Sequence, residues 1–175
     1  MMLFVRPVVW FLLIASVVSL SCGSATGPSP GSGSNSPQTF TATINNFPWV
    51  ANGSIKATFT PATTNASAAS LNIVAQDSPL VQTLSVTAGP TVPGTPLTTG
   101  TYQVGTSATN ALFTDVIGTT YQAGLTVGVG SGSVTISSLN TTTKVATGTF
   151  NFVLTQTNGV ATRVVNNGTF SVNFQ

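Results

Sequence analysis

The chain has no histidine and no glutamate, and 3% of its 175 residues are charged, against roughly 25% in an average globular protein. Each shortage excludes something. Without histidine there is no ordinary general base, no base partner for a serine nucleophile and no imidazole for zinc. The acidic residues are Asp77 and Asp115 alone, too few for a calcium cage. A glycosidase pair would have to use both of them, and both lie beside turn residues. Asp77, in Gln76-Asp77-Ser78-Pro79, reads as a turn-former through its side chain; Asp115 reads as a strand-edge or turn residue. Beyond Arg6 the cations are Lys56, Lys144 and Arg163, so the sequence pI of about 9.1 reflects a tiny charge excess. Three scattered cations cannot neutralise a phosphate backbone, so no nucleic-acid partner is expected. Gly128-Val129-Gly130-Ser131-Gly132 is glycine-rich but leads into a strand pattern, not a phosphate-binding helix. No catalytic residue, metal or cofactor is expected. Cys22 is the lone cysteine, so no internal disulfide can form and packing must hold the domain.

What is present begins with a secretory signal. Arg6 precedes an apolar run from Val8 to Val18, and Ser19-Leu20-Ser21-Cys22 follows. The run is too short to cross roughly 30 Å of hydrocarbon at 1.5 Å per residue, and its three-part layout is that of a cleaved signal. Ser19-Leu20-Ser21-Cys22 resembles a lipobox, the site where bacterial lipoprotein signal peptidase cuts before a lipid-modified cysteine. Ser21 and Cys22 fit that pattern; Ser19 and Leu20 reverse its usual bulky-then-small order. The resemblance implies that residues 1–21 are a signal peptide and that Cys22 carries palmitate-type acyl chains. Two or three such chains hold firmly, since each buried methylene contributes about 0.8 kcal/mol. Gly23 stands where an aspartate would favour retention at the inner membrane, which implies a bacterial outer-membrane anchor, periplasmic or surface-facing. Residues 22–37 are then a Gly/Ser/Pro tether, unable to bury enough apolar surface to order itself, with a reach of roughly 20 Å.

Residues 38–175 make one domain's length of chain. Its dominant pattern has a period of two. Phe40, Ala42 and Ile44 alternate with threonines; Ile55, Ala57 and Phe59, then Leu71, Ile73 and Ala75, then Leu84, Val86 and Ala88 repeat the pattern. Asn45-Asn46 and Asp77-Ser78-Pro79 mark turns, and Thr157-Asn158-Gly159 marks a hairpin. Gly89 to Gly100 carries three prolines and must be irregular. Further strands are expected at Tyr102–Val104, Leu112–Val116, Tyr121–Val127, Val134–Ser138, Val145–Gln156, Thr162–Asn166 and Thr169–Phe174. The fold class is therefore all-β, an antiparallel sandwich of roughly eight to ten strands, with a closed or partly open barrel as the alternative. A Gly-Thr-aromatic-polar-apolar echo recurs at Gly100, Gly148 and Gly168; its spacing is too uneven for a solenoid, and each aromatic is expected to enter the core.

Phe40-Thr41-Ala42-Thr43-Ile44-Asn45 followed by Pro48-Trp49, the Gly100-Thr101-Tyr102 piece, and Gly148-Thr149-Phe150-Asn151-Phe152 with Asn167-Gly168-Thr169-Phe170 resemble a family of uncharacterised bacterial envelope lipoproteins. Asn46 stands where that family usually has glycine. The resemblance implies a β domain at the envelope and no known activity.

The function expected is non-catalytic: a lipid-anchored envelope protein whose domain binds a glycan or an envelope protein, with Trp49, Tyr102 and Tyr121 as contact aromatics. The alternatives are a passive coat lipoprotein, whose uncharged Thr/Ser/Asn surface resists proteolysis, and a barrel carrying a small apolar ligand. An exposed Trp49 beside Tyr102 or Tyr121 would favour binding, and an internal cavity of several hundred Å3 would favour the carrier.

Overall fold

The computed structural model describes residues 37–175 apart from 65, 79 and 80. The signal segment, Cys22 and the tether before Pro37 lie outside the described residues. The described chain forms eleven strands: β1 (Thr39–Ile44), β2 (Phe47–Val50), β3 (Ser54–Thr60), β4 (Ser70–Gln76), β5 (Thr83–Ala88), β6 (Gly100–Gln103), β7 (Asn110–Thr114), β8 (Thr120–Ala123), β9 (Ser131–Asn140), β10 (Val145–Gln156) and β11 (Thr162–Asn173). No helix among the described residues is long and apolar enough to cross a membrane.

The class is all-β, as the alternation dictates. All strand pairs belong to one antiparallel sheet, ordered β2-β1-β11-β10-β8-β7-β5-β4-β3, with β9 and β6 branching from β10. The branch arises because β10 is long. Val145–Val153 pairs with β9, while Thr155 and Gln156 pair with β8. Beyond that fork the sheet curls back, so the β8-β7-β5-β4-β3 wall faces the β6-β9-β10-β11-β1 wall. The curl ends where β3 meets the chain's last residues. Ala57 bridges Phe174, the Phe59 N–H donates to the Gln175 carbonyl at 3.0 Å, and the Gln175 N–H donates to the Ala57 carbonyl at 3.1 Å. The architecture thus combines a sandwich's two facing walls with a barrel's continuity.

The core fills the space between the walls. Phe40, Phe150, Phe152, Leu154, Val165 and Ile136 come from one wall, and Leu71, Ile73, Leu84, Val86 and Phe113 from the other, all essentially inaccessible. Phe40 stacks on Phe150 with ring centroids 4.8 Å apart and meets the edge of Trp49 at 6.0 Å. Fully burying each such side chain contributes about 1.5–3 kcal/mol.

Outward-facing positions carry hydroxyls. Thr41, Thr169, Thr149, Thr135 and Thr101 lie side by side across β1, β11, β10, β9 and β6. Thr41 and Thr169 share a 2.9 Å hydroxyl hydrogen bond, as do Thr101 and Thr135. Threonine suits this setting because its β-branched stem packs on the pleat while its hydroxyl finds a neighbour or water.

The molecule has two unlike ends. The pairs Ile44–Val165, Ser54–Gln76, Gln76–Thr83, Thr83–Thr114, Thr114–Thr120 and Thr155–Thr162 bring the β1–β2, β2–β3, β4–β5, β7–β8 and β10–β11 connections to one end. The opposite end holds the β3–β4, β5–β6 and β9–β10 connections, Phe174 and Gln175, and Gln38, where the chain enters the domain.

Candidate functional site

The end opposite Gln38 contains a cleft of about 470 Å3. Its borders come from turns that are far apart in sequence and close in register. The β1–β2 hairpin turns on Asn45 and Asn46, both at positive φ (49° and 68°). That is the two-residue turn whose twist matches the flanking strands, and asparagine tolerates it well. The Asn45 side-chain oxygen also accepts the Val164 N–H at 2.8 Å, tying the hairpin to β11. From this side Ile44, Phe47, Pro48 and Trp49 line the cleft, and Phe47 is 75% exposed.

The other wall supplies Asp77 and Gln82 from the β4–β5 turn and Asp115 and Val116 from the β7–β8 turn, with Phe113 beside them. Arg163, near the start of β11, completes the border. Its guanidinium carbon sits 4.5 Å from the centre of the Tyr121 ring, a cation–π contact that fixes a long side chain. The cleft therefore gathers both carboxylates of the chain and one of its four cations.

The two carboxylates do different work. Asp115 Oδ1 accepts the N–H of Ile117 at 3.1 Å and of Thr119 at 2.9 Å, closing its own turn. Asp77 helps its turn through the backbone instead: its N–H donates to the Gln82 carbonyl and its carbonyl accepts the Val81 N–H. The turn role expected of the Asp77 side chain thus belongs to Asp115. The two residues end β4 and β7, strands separated by β5, so their backbones stand roughly 10 Å apart. Among the described residues no three His, Cys, Asp or Glu side chains come together.

The three contact aromatics expected from sequence are not brought together as exposed neighbours. Trp49 and Tyr121 are each 4% exposed, inside the core. Tyr102 is half-buried on the branch strand β6, its hydroxyl donating to the Thr98 carbonyl at 2.9 Å and accepting the Thr98 N–H at 3.0 Å. That closes the Pro-rich loop, which is a structural role. Trp49 still touches the cleft, and Tyr121 seats the cleft's arginine. The exposed aromatic at the site is Phe47, which alternation alone did not single out because it follows a turn and precedes Pro48. The Trp49 indole Nε1 is the buried side-chain polar atom without a hydrogen-bond partner among the described residues, a state that costs about 1–3 kcal/mol when nothing fills it.

Fold and site define a curled antiparallel β domain with a mixed aromatic and acidic cleft at the end away from its N-terminal junction. The chain belongs to the family described as Domain of unknown function (DUF6252), which matches residues 35–172. No curated protein and no solved structure matches it.

Proposed function

We propose that this is a non-catalytic envelope lipoprotein, anchored to the bacterial outer membrane through acyl chains on Cys22, whose domain is a binding module. The observation carrying this reading is the polarity of the fold. The chain enters at Gln38, beside Phe174 and Gln175, and the cleft lies at the opposite end. With the anchor on the Gln38 side, the cleft is the end left to meet a glycan or an envelope protein. The absence of histidine from the sequence and the turn-closing role of the Asp115 carboxylate support a non-catalytic role. The coat reading draws support from the uncharged threonine rank on the outer wall. The carrier reading draws none, since large side chains from both walls fill the space between them.

Two measurements test the proposal. Mass spectrometry of the native protein should find a diacylglyceryl-modified N-terminal Cys22, and Cys22→Ala should release the chain from the membrane fraction. Affinity capture with the native lipidated protein should retain a reproducible envelope component. An unmodified Cys22 on a freely diffusing product defeats the anchor, and capture of nothing defeats the binding role.

A further inference from the structure

We propose that the cleft bordered by Phe47, Trp49, Asp77, Gln82, Asp115 and Arg163 binds the end of a neutral saccharide chain, an inference that rests on the binding-module reading. Its volume of about 470 Å3 lies within the range of small-molecule sites, roughly 300–1,000 Å3. The β1–β2 wall is flat and apolar, with Phe47 and Pro48 in the open. The β4–β5 and β7–β8 wall offers carboxylates and an amide.

The chemistry of the two walls selects the ligand. Asp77 and Asp115 only accept hydrogen bonds, whereas Arg163 only donates. A hydroxyl does both, so one polyol satisfies all three groups. The C–H face of a pyranose ring also covers the apolar wall. A cationic ligand would suit the carboxylates but meet Arg163. An apolar ligand would bury the Asp77 carboxylate without a partner, which is strongly unfavourable.

Two further features agree. This domain carries few charges, yet three of its five, Asp77, Asp115 and Arg163, border one cleft. The turn carrying Asp77 and Gln82 also holds Val81 at φ 58° with 63% of its surface exposed. A β-branched residue is strained in that left-handed region, and such strain clusters at ligand sites. The cleft lies at the end away from Gln38.

Trp10 and Trp49 are the two tryptophans of the chain. Cleavage before Cys22 removes Trp10, so in the lipidated protein, kept in detergent micelles, Trp49 emission reports the cleft directly. The titrants are cellotriose, maltotriose, mannotriose and chitotriose, with the zwitterionic dipeptide lysyl-alanine as comparator. The expected result is a saturable emission change with at least one trisaccharide. Asp77→Asn should weaken it roughly tenfold or more, as expected for losing a charged acceptor, at unchanged melting temperature; Lys56→Ala, on β3, should not weaken it. No saturable change with any trisaccharide overturns the proposal, as does trisaccharide binding indifferent to Asp77→Asn. Binding of the dipeptide alone overturns the saccharide assignment while leaving a binding cleft. If affinity capture still retains an envelope component after every trisaccharide has failed, the saccharide falls and the binding module stands.

Discussion

Phe150 on β10 faces Gly168 on β11, and two residues earlier on β10 Gly148 faces Phe170. The arrangement is reciprocal: each ring lies over the other strand's glycine. A Cβ built on Gly148 would sit 2.5 Å from Phe170 Cζ, and one on Gly168 would collide with the Phe150 ring. Two of the three Gly-Thr-aromatic copies, at Gly148 and Gly168, are therefore one packing device read from both strands, whereas Gly100 has open space where a Cβ would stand. Glycine is present in mid-strand because a ring needs the volume above it, an example of an aromatic covering a strand glycine.

Gly148→Ala and Gly168→Ala should each destabilise the domain by about 1–3 kcal/mol through overpacking. Phe150→Ala should cost about 3–5 kcal/mol. Urea unfolding of Gly168→Ala combined with Phe150→Leu should show a loss smaller than the sum of the singles, since the added methyl and the trimmed ring share one space. Full additivity would refute the reciprocal packing.

Closure of the curled sheet rests on few contacts. Besides the two backbone hydrogen bonds of Gln175, the Phe174 ring lies 5.2 Å from Phe59. Phe174→Ala should cost about 3 kcal/mol and speed amide exchange of Phe59, whose N–H donates into this closure. Unchanged exchange at Phe59 would show that β3 is held by β4 alone.

Stability and site chemistry should separate at the two carboxylates. Asp115→Ala loses the acceptor for two backbone N–H groups and should cost about 1–2 kcal/mol; Asp115→Asn keeps an oxygen there and should cost less. Asp77→Ala should stay within about 0.5 kcal/mol, as for an ordinary surface change. Chemical denaturation of the three variants gives the order directly.

Asn46 occupies φ 68° in the β1–β2 turn. Asn46→Gly should be neutral or slightly stabilising. Asn46→Ala should cost about 1–2 kcal/mol, the penalty for a side chain without local hydrogen bonding in the left-handed region. Thermal unfolding should rank Gly at or above Asn and both above Ala.

Much of the architecture was legible in residue order. Phe40, Ala42 and Ile44, or Leu84, Val86 and Ala88, alternate with polar residues because one sheet face is buried, and a period of two needs no long-range information. Other boundaries were less clear. Thr162–Asn166 and Thr169–Phe174 look like two strands separated by an Asn-Gly turn, yet they form the single strand β11 followed by Phe174. Asn167, at φ 51°, makes a bulge where the register shifts on both sides of β11. A turn and a bulge share the same local conformation, and only the neighbouring strands distinguish them. Tyr121–Val127 likewise stops as a strand at Ala123, because Gly124 takes φ 76° and packs against the Thr109 carbonyl. Phe47–Val50, outside the alternating segments, pairs with β1 as β2 and brings the strand total to eleven.

Sequence by itself determined the all-β class, the shortage of proton-transfer groups and the polar, hydroxyl-rich outer surface, since all three follow from composition and local alternation. Tertiary structure alone decided that β10 forks the sheet, that Ala57 meets Phe174, and that Asp77, Asp115 and Arg163 share a cleft with Phe47 and Trp49. Those residues lie on four different strands or turns. Strand order, which a period of two leaves undetermined, is what brings them together.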